Sequence, residues 1–195
     1  MSTDLHQFVA NIRACQLCVG DMDRAPKPIL QVSNSAKILI AGQAPGNLAM
    51  ASGRPFTDPS GDRLRAWLQM SEADFYDESK VAIVPMGFCF PGYDKNGGDI
   101  PPMKRCSEHW QSDLFELLPQ LRLKVLIGGY AQRWHIGEQV EKTLTATVQK
   151  WRDLLEQGVI VTPHPSWRTN AWLKRNPWFE TELLPELQKR VRLLL

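Results

Sequence analysis

The sequence has little net charge, few cysteines and no long apolar run. Basic residues number 23 and acidic ones 21, for a net charge of +2, so composition by itself gives no reason to expect a nucleic-acid partner. The longest apolar runs, such as residues 38–41 and 125–127, are far shorter than the roughly 20 residues of a membrane-spanning helix. With 43% hydrophobic and 23% charged residues, the chain also differs from disordered and low-complexity sequences. These absences leave an ordinary globular protein with no membrane partner.

The length suits a single domain over residues 1–195, which can bury roughly 70% of the surface that the unfolded chain exposes. The amino terminus carries Asp4, His6 and Gln7 between its apolar residues. It therefore lacks the basic region and continuous apolar stretch of a secretory signal. We expect a cytoplasmic protein whose cysteines stay reduced.

The four cysteines fall into one pattern, a Cys15-x-x-Cys18 pair followed by Cys89 and Cys106. Reduced cysteines in this pattern are typical of a metal site, because two thiol pairs brought together by folding complete a four-thiolate set. From spacing alone the expected metal is zinc. The alternative is four unrelated buried thiols, since free cysteine is among the most buried residue types. A metal centre would also close the glycine- and proline-rich loop between Cys89 and Cys106.

Hydrophobic patterns predict an α/β fold. Strands are predicted at residues 37–41, 81–84, 124–127 and 159–162, and helices near residues 3–14, 62–70, 104–118, 130–134, 145–156 and 179–191, the last interrupted at Pro185. Strands that alternate with helices pair in parallel through right-handed crossovers, which gives a three-layer α/β/α sandwich around a central parallel sheet of about four strands. In such sheets the ligand crevice lies beyond the carboxyl ends of the strands. The expected site is therefore built from residues 42–46, 85–89, 128–130 and 163–168.

Three motifs follow one another along the chain, the first and the last of them in these turns. Residues 42–46 read Gly-Gln-Ala-Pro-Gly, residues 53–64 contain Gly-Arg-Pro-Phe and Ser-Gly-Asp-Arg-Leu, and residues 164–166 read His-Pro-Ser. Together with the cysteine pattern, this ordered set resembles the uracil-DNA glycosylase superfamily, nearest its iron-sulfur branch, from Arg13 to about Pro177. The resemblance implies a monomeric, nucleoid-associated, monofunctional DNA glycosylase of base-excision repair. Such an enzyme flips a deaminated base, with uracil expected, out of single- or double-stranded DNA and hydrolyses its N-glycosidic bond.

The resemblance also implies roles for individual residues. It makes Cys15, Cys18, Cys89 and Cys106 the ligands of a structural 4Fe-4S cluster, with zinc as the alternative. It gives His164 the task of donating to the base oxygen where negative charge develops, and Gln43 the task of orienting the attacking water. Phe56 would stack on the extruded base. The expected base contacts are Gly42, Ala44, Met86 and Gly87, and the expected DNA contacts are Ser166, Trp167 and Arg168.

Two departures from the family pattern leave other readings open. Pro85 stands where the iron-sulfur branch has an asparagine that reads the uracil edge, and proline has no donor. Gln43 replaces a glutamate of that branch, and Ala44 replaces the acid that follows glutamine in another branch. The alternative is thus a non-catalytic or altered-specificity member that binds DNA or damaged bases, and a third reading is a hydrolase of free nucleosides. The nearest carboxylates, Asp58 and Asp62, are predicted to cap a helix or face solvent.

Overall fold

The central sheet has four parallel strands in the order β2-β1-β3-β4. A computed structural model describes residues 4–195. The strands are β1 (Ile38–Ala41), β2 (Val81–Ile83), β3 (Leu123–Ile127) and β4 (Val159–Thr162). In the centre of the sheet Ile40 pairs with Ile83 on one side and Val125 on the other. The predicted α/β fold with a parallel four-stranded sheet is confirmed.

Both faces of the sheet are covered by helices. Every residue of β1, β2 and β4 is buried, and successive side chains of a strand point to opposite faces. A strand buried at consecutive positions therefore has a packed layer on each side, as parallel sheets require. The apolar, β-branched sequences of these strands suit that environment.

Ten α-helices surround the sheet in residues 4–195. They are α1 (Leu5–Arg13), α2 (Asn47–Ser52), α3 (Pro59–Leu68), α4 (Glu72–Phe75), α5 (Lys104–Glu116), α6 (Gly128–Ile136), α7 (Leu144–Gln149), α8 (Trp151–Glu156), α9 (Asn170–Arg175) and α10 (Leu184–Arg192). The first residue of the helix predicted at 3–14 lies outside the described residues. The helix predicted at 145–156 divides at Lys150 into α7 and α8. A π-helical turn (Phe179–Leu183) precedes α10, which begins anew with Pro185 in its first turn. None of the helices among the described residues is long and apolar enough to cross a bilayer.

The strand order places a crevice beside β1. The chain passes from β1 to β2 on one side and then to β3 on the other side. Where the winding direction of a parallel sheet reverses in this way, the loops beyond the carboxyl ends of the strands diverge and leave a ligand site. The Gly-Gln-Ala-Pro-Gly turn follows β1 at this point.

Candidate active site

An inner pocket of about 280 Å³ lies beyond the carboxyl ends of the strands. Its walls include the turn after β1, the segment around Phe56, Pro85, the loop residues Tyr93 and Asp99, and His164. A wider outer groove of about 860 Å³ shares several of these residues and continues over residues 128–130 and 163–169. The turns predicted to build the site thus meet at one edge of the sheet. Gly42, Gln43, Ala44, Phe56 and His164 line the inner pocket, and Ser166, Trp167 and Arg168 line the outer groove.

His164 is held rigidly at the end of β4. It lies between two buried prolines, Pro163 and Pro165, whose fixed φ limits the backbone. Its carbonyl accepts hydrogen bonds from the Ser166 N–H (2.9 Å) and the Thr169 hydroxyl (2.5 Å). The His164 side chain is exposed, and its surface faces the walls of the pocket and of the outer groove.

Desolvation by these walls lowers the pKa of His164 below its usual range, because a buried site disfavours the charged imidazolium. The negative charges of Asp58 and Asp99 act in the opposite direction and raise the pKa, but burial is the larger cause. At neutral pH the side chain is therefore a neutral imidazole. In that form it still has one N–H to donate.

Phe56 adopts a strained backbone conformation, with φ at 55°, that non-glycine residues rarely take. Its carbonyl accepts hydrogen bonds from the Tyr76 hydroxyl (3.0 Å) and from Arg65 (3.3 Å). Gly61 in α3 leaves room for this carbonyl, since a Cβ there would lie 1.9 Å from the Phe56 oxygen. The Phe56 ring meets Phe75 edge-on at 6.2 Å. The surroundings thus fix the ring in the pocket wall.

Gln43 connects the turn after β1 to the loop that follows Cys89. Its Nε2 donates to the Ile100 carbonyl at 3.2 Å. That contact uses one of the two amide N–H donors, and the amide oxygen stays free to accept from a ligand or a water. The side chain is half-buried in the pocket wall.

Met86 and Gly87 are not brought to the inner pocket. The Met86 N–H donates to the Gly42 carbonyl (2.9 Å) and the Gly87 N–H to the Gln43 carbonyl (3.0 Å), so both donors join the end of β2 to the turn after β1. Pro85 does line the pocket, and its carbonyl accepts from the buried Gln111 amide at 2.8 Å. This wall therefore offers a base no backbone donor from residues 85–87.

The two carboxylates near the second motif have structural tasks. Asp58 is the N-cap of α3, where it accepts from the Gly61 N–H (3.2 Å) and the Ser60 hydroxyl (2.7 Å). Asp62 is largely exposed and pairs with Arg65. The prediction of capping or solvated roles for Asp58 and Asp62 is confirmed.

Sequence reasoning missed Tyr93 and Asp99, which enter the pocket from the loop between Cys89 and Cys106. The loop folds into a tight hairpin in which Asp94 accepts from the N–H groups of Asn96 (2.8 Å) and Gly98 (2.9 Å). Tyr93 and Asp99 lie opposite each other and form an antiparallel bridge. The only signal in the sequence was that the loop follows directly on a turn assigned to the site.

The outer groove carries an exposed aromatic and basic residues. Trp167 is 72% exposed, and the Arg168 guanidinium lies 5.7 Å from its ring. Arg63 fixes this segment by donating to the Ser166 carbonyl (2.7 Å). By contrast, Trp172 contacts Trp178 and Phe179 edge-on, so it packs against the body of the protein.

All four cysteines line a separate, largely apolar cavity. Cys15 and Cys18 follow α1, Cys89 follows β2, and Cys106 lies in the first turn of α5. All four thiols are free. Distant segments of the chain are therefore brought together around one space that no Asp, Glu or His side chain lines.

The chemistry of this cavity fits a metal–sulfur centre. Burial raises the pKa of the Cys89 thiol to about 11 and that of Cys106 to about 12, and the nearby cysteines add to the effect. The Phe88 N–H donates to the Cys106 sulfur at 3.4 Å and so favours the thiolate. A metal cation reverses the burial penalty, because a coordinating thiol is deprotonated.

The arrangement of the thiols does not match a single ion. Within residues 4–195, no three His, Cys, Asp or Glu side chains are placed to hold one metal ion. A tetrahedral zinc holds each sulfur at about 2.3 Å, which requires the sulfurs to lie within about 4 Å of one another. The four cysteines thus line one cavity, but their side chains are not arranged as the ligands of one metal ion.

Two comparisons place the chain among known proteins. Among solved structures, it is similar to a candidate uracil DNA glycosylase from Methanosarcina acetivorans, determined by solution NMR, with 17% sequence identity and a TM-score of 0.46 over 84% of this chain and 93% of that chain. The family model of the uracil DNA glycosylase superfamily matches residues 30–188, well over half of the sequence, including the pocket residues Gln43, Phe56 and His164. The chain therefore belongs to the uracil DNA glycosylase superfamily.

Proposed function

We propose that this protein is a monofunctional DNA glycosylase that flips a deaminated base, uracil in the first instance, into the inner pocket and hydrolyses its N-glycosidic bond. One observation carries the proposal: a neutral imidazole and a fixed aromatic ring line the same pocket at the carboxyl edge of the sheet. We also expect the protein to act as a monomer, in the cytoplasm and on nucleoid DNA.

The pocket residues divide the work of base extrusion and cleavage. Extruding a base costs a few kcal/mol, and stacking on Phe56 returns roughly 1–3 kcal/mol of this. Trp167, exposed beside Arg168, is placed to fill the gap that the base leaves in the stack. As the glycosidic bond breaks, its electron pair moves onto the base. The His164 N–H then donates to the base oxygen that gains this charge.

The direct test is base release from labelled oligonucleotides that contain uracil opposite guanine, uracil opposite adenine, single-stranded uracil, hypoxanthine or xanthine. We expect abasic sites from at least one substrate, with uracil the first candidate. Because Pro85 offers no donor, the enzyme could prefer another base. Release of a deaminated purine without release of uracil would support the glycosylase activity and assign it a purine substrate. No abasic product from any of the five, with protein purified anaerobically and rich in iron, contradicts the proposal.

A second candidate function is binding without catalysis. Gln43-Ala44 lacks a carboxylate, and residues 85–87 offer the base no donor. Tight binding to an abasic or uracil-containing duplex with no turnover would favour it. DNA affinity should fall with salt by about 0.9 log units per phosphate contact for each tenfold rise in salt. Activity on free nucleosides but not on oligonucleotides would instead assign the pocket to a small-molecule hydrolase.

For the cysteine cavity we propose a structural 4Fe-4S cluster held by Cys15, Cys18, Cys89 and Cys106. Four thiols around one cavity supply the complete ligand set of such a cluster. In such a cluster each thiolate binds a different iron. The cluster supplies no catalytic chemistry here and clamps the chain segments together. Metal analysis should give about four irons per chain. Colourless protein with one zinc per chain would show that the cysteines bind zinc and not the cluster.

A further inference from the structure

Asp99 is a carboxylate in the pocket with no structural task. It lines the inner pocket together with Gln43 and His164, and its side chain is exposed. Within residues 4–195 it forms no ion pair and no side-chain hydrogen bond. Asp99 and His164 line the same pocket, and the charge of Asp99 acts to raise the pKa of His164.

The other pocket carboxylate, Asp58, is in a different position. Its oxygen already accepts two hydrogen bonds at the start of α3, and an N-cap that loses its acceptor costs about 1 kcal/mol. Asp58 thus has a fold-maintaining role that Asp99 lacks. Both hydrogen bonds use Oδ1 of Asp58 and leave only its Oδ2 for a ligand, whereas Asp99 keeps both of its oxygens.

The hairpin that carries Asp99 is fixed on both sides. Asp94 closes the hairpin through the backbone of residues 96 and 98. Gln43 then holds the residue next to Asp99, because its amide nitrogen donates to the Ile100 carbonyl. Gln43 and Asp99 therefore both line the pocket, and one N–H of the Gln43 amide is used to hold the loop.

We propose that Asp99 is a catalytic residue that binds the attacking water and removes its proton. The inference rests on the proposed glycosylase function. Asp99 supplies, from a different segment of the chain, the carboxylate that residues 43 and 44 lack. Gln43 accepts the second hydrogen of the same water and thereby orients it.

The step balances as follows. The bond between C1′ and the base nitrogen breaks, and both electrons leave with the base, whose charge His164 stabilises. A lone pair of the water forms a new bond to C1′, and the proton of that water passes to the Asp99 carboxylate. The sugar becomes a hydroxyl-bearing abasic site. The base anion takes up a proton from solvent on release, and Asp99 returns its own proton to solvent.

The first test measures single-turnover base release. Asp99→Asn keeps the size of the side chain but removes the carboxylate that accepts the proton. We expect the chemical step to slow about 100-fold or more, as for other residues that act as general bases. DNA affinity should change little, and Asp99→Glu should recover part of the rate. Asp58→Asn is the matched comparison, because asparagine also caps helices well and the variant likewise removes a negative charge near His164; its loss should be at least about tenfold smaller.

The second test does not depend on turnover. Duplexes carry, at one position, either a cationic pyrrolidine analogue of the abasic sugar or its neutral tetrahydrofuran counterpart. Since the sugar becomes positively charged in the transition state, wild-type protein should bind the cationic duplex more tightly, by about tenfold or more. Asp99→Asn should remove most of this preference and Asp58→Asn should retain most of it.

The outcomes separate the two proposals. If wild-type protein releases a base and Asp99→Asn is as fast, the role of Asp99 is overturned and the glycosylase function stands. If wild-type protein releases no base from any of the five substrates, the proposed function fails, and the analogue duplexes decide on Asp99. Loss of the cationic preference in Asp99→Asn but not in Asp58→Asn then supports only the position of the Asp99 carboxylate beside the sugar, and equal preference in wild type and variant overturns that position as well.

Discussion

Phe56 shows how single residues maintain a strained site. Only Phe56 and Gln69 have positive φ among the non-glycine residues 4–195, and Phe56 is the one that lines the pocket. Such a conformation costs about 1–3 kcal/mol and persists only where the surroundings enforce it. The Tyr76 hydroxyl, bonded to the carbonyls of Pro55 (2.9 Å) and Phe56 (3.0 Å), is the main part of those surroundings.

Tyr76→Phe is therefore expected to release Phe56. Removing the hydroxyl leaves the Pro55 carbonyl without its side-chain donor and the Phe56 carbonyl with Arg65 alone, which should lower the free energy of unfolding by about 1–2 kcal/mol. Urea denaturation measures that loss. Base stacking should weaken as well, seen as a higher KM for base release. Tyr130→Phe is the control, since the Tyr130 hydroxyl has no hydrogen-bond partner within the described chain. Equal stability of both variants would show that the hydroxyl does not hold the turn.

The protonation state of His164 gives a prediction on pH. Burial lowers its pKa below the ordinary 6.5, so the neutral imidazole predominates from pH 8 down to 6.5 and the midpoint of its protonation lies below that. The single-turnover rate should accordingly stay level over this range. A change in rate with its midpoint above pH 6.5 would contradict a desolvated His164.

Removing the imidazole should affect chemistry more than binding. His164→Ala deletes one donor to the developing anion, a change that typically slows the chemical step about 100- to 1,000-fold. DNA affinity should be mostly retained. His6→Ala, an exposed histidine in α1, is the matched control and should behave as wild type. An unchanged single-turnover rate in His164→Ala would remove His164 from the mechanism.

At the scale of elements, α3 and the strained turn depend on each other through Gly61. A Cβ at Gly61 would lie 1.9 Å from the Phe56 oxygen, which neither backbone can accommodate without moving. We expect Gly61→Ala to destabilise the protein by more than about 2 kcal/mol and to displace Phe56. At Gly46, another glycine of the pocket, a Cβ meets nothing within 4 Å. Gly46→Ala should therefore lose at most about 1 kcal/mol, and similar urea midpoints for both variants would contradict the argument.

Elements were predictable from the sequence where their pattern was long or fully apolar. Each strand lies within one residue of its predicted ends, because a short apolar run bounded by glycine or proline has few other uses. The helices α2, α4 and α9 were missed, since four to six residues are too few to show a period.

The site was only partly predictable for a related reason. Motifs at strand ends share one edge of a parallel sheet, so His164, Phe56 and Gln43 could be expected to converge. A loop carries no such rule, and nothing in the sequence states that Asp99 faces the pocket. Met86 and Gly87 were expected there from their position, but hydrogen bonding of the backbone uses their donors elsewhere.

At the scale of the whole molecule, His135 links folding to pH. Burial, with a smaller contribution from the charge of Lys124, lowers the pKa of His135 from 6.5 to about 3, and its Nε2 has no hydrogen-bond partner. As the pH falls below 6.5, the unfolded chain takes up a proton that the folded protein does not. Stability is therefore lost on acidification, by up to about 1.4 kcal/mol per pH unit until the folded-state pKa is reached.

The measurement is urea denaturation at pH 6.5, 5.5 and 4.5 for wild type and His135→Phe. The variant keeps an aromatic ring beside Phe115 and Trp134 but cannot titrate. Its stability should therefore fall less steeply than that of wild type, and the two slopes should differ by up to about 1.4 kcal/mol per pH unit. His6→Ala should keep the wild-type slope. Identical slopes in wild type and His135→Phe would show that His135 titrates normally.

The cysteine cavity and the pocket are connected through the loop between Cys89 and Cys106. That loop carries Tyr93 and Asp99 into the pocket, and its two ends line the cysteine cavity. A metal–sulfur centre would keep the ends together and remove the entropy cost of ordering the loop. Because no residue of the four strands lines this cavity, losing a ligand should loosen the loop and leave the sheet folded.

Cys89→Ser tests this connection. We expect faster hydrogen exchange and new trypsin cleavage at Lys95, at the tip of the hairpin, together with a large loss of base release. Exchange in β1, β3 and β4 should change little, because these strands are fully packed. Ser107→Ala, beside Cys106 in α5, is the matched control and should leave both readouts as in wild type. Protection of residues 90–102 that is unchanged in Cys89→Ser would mean that the hairpin is held by its own contacts, Asp94 and Gln43 among them, and that the two sites are independent.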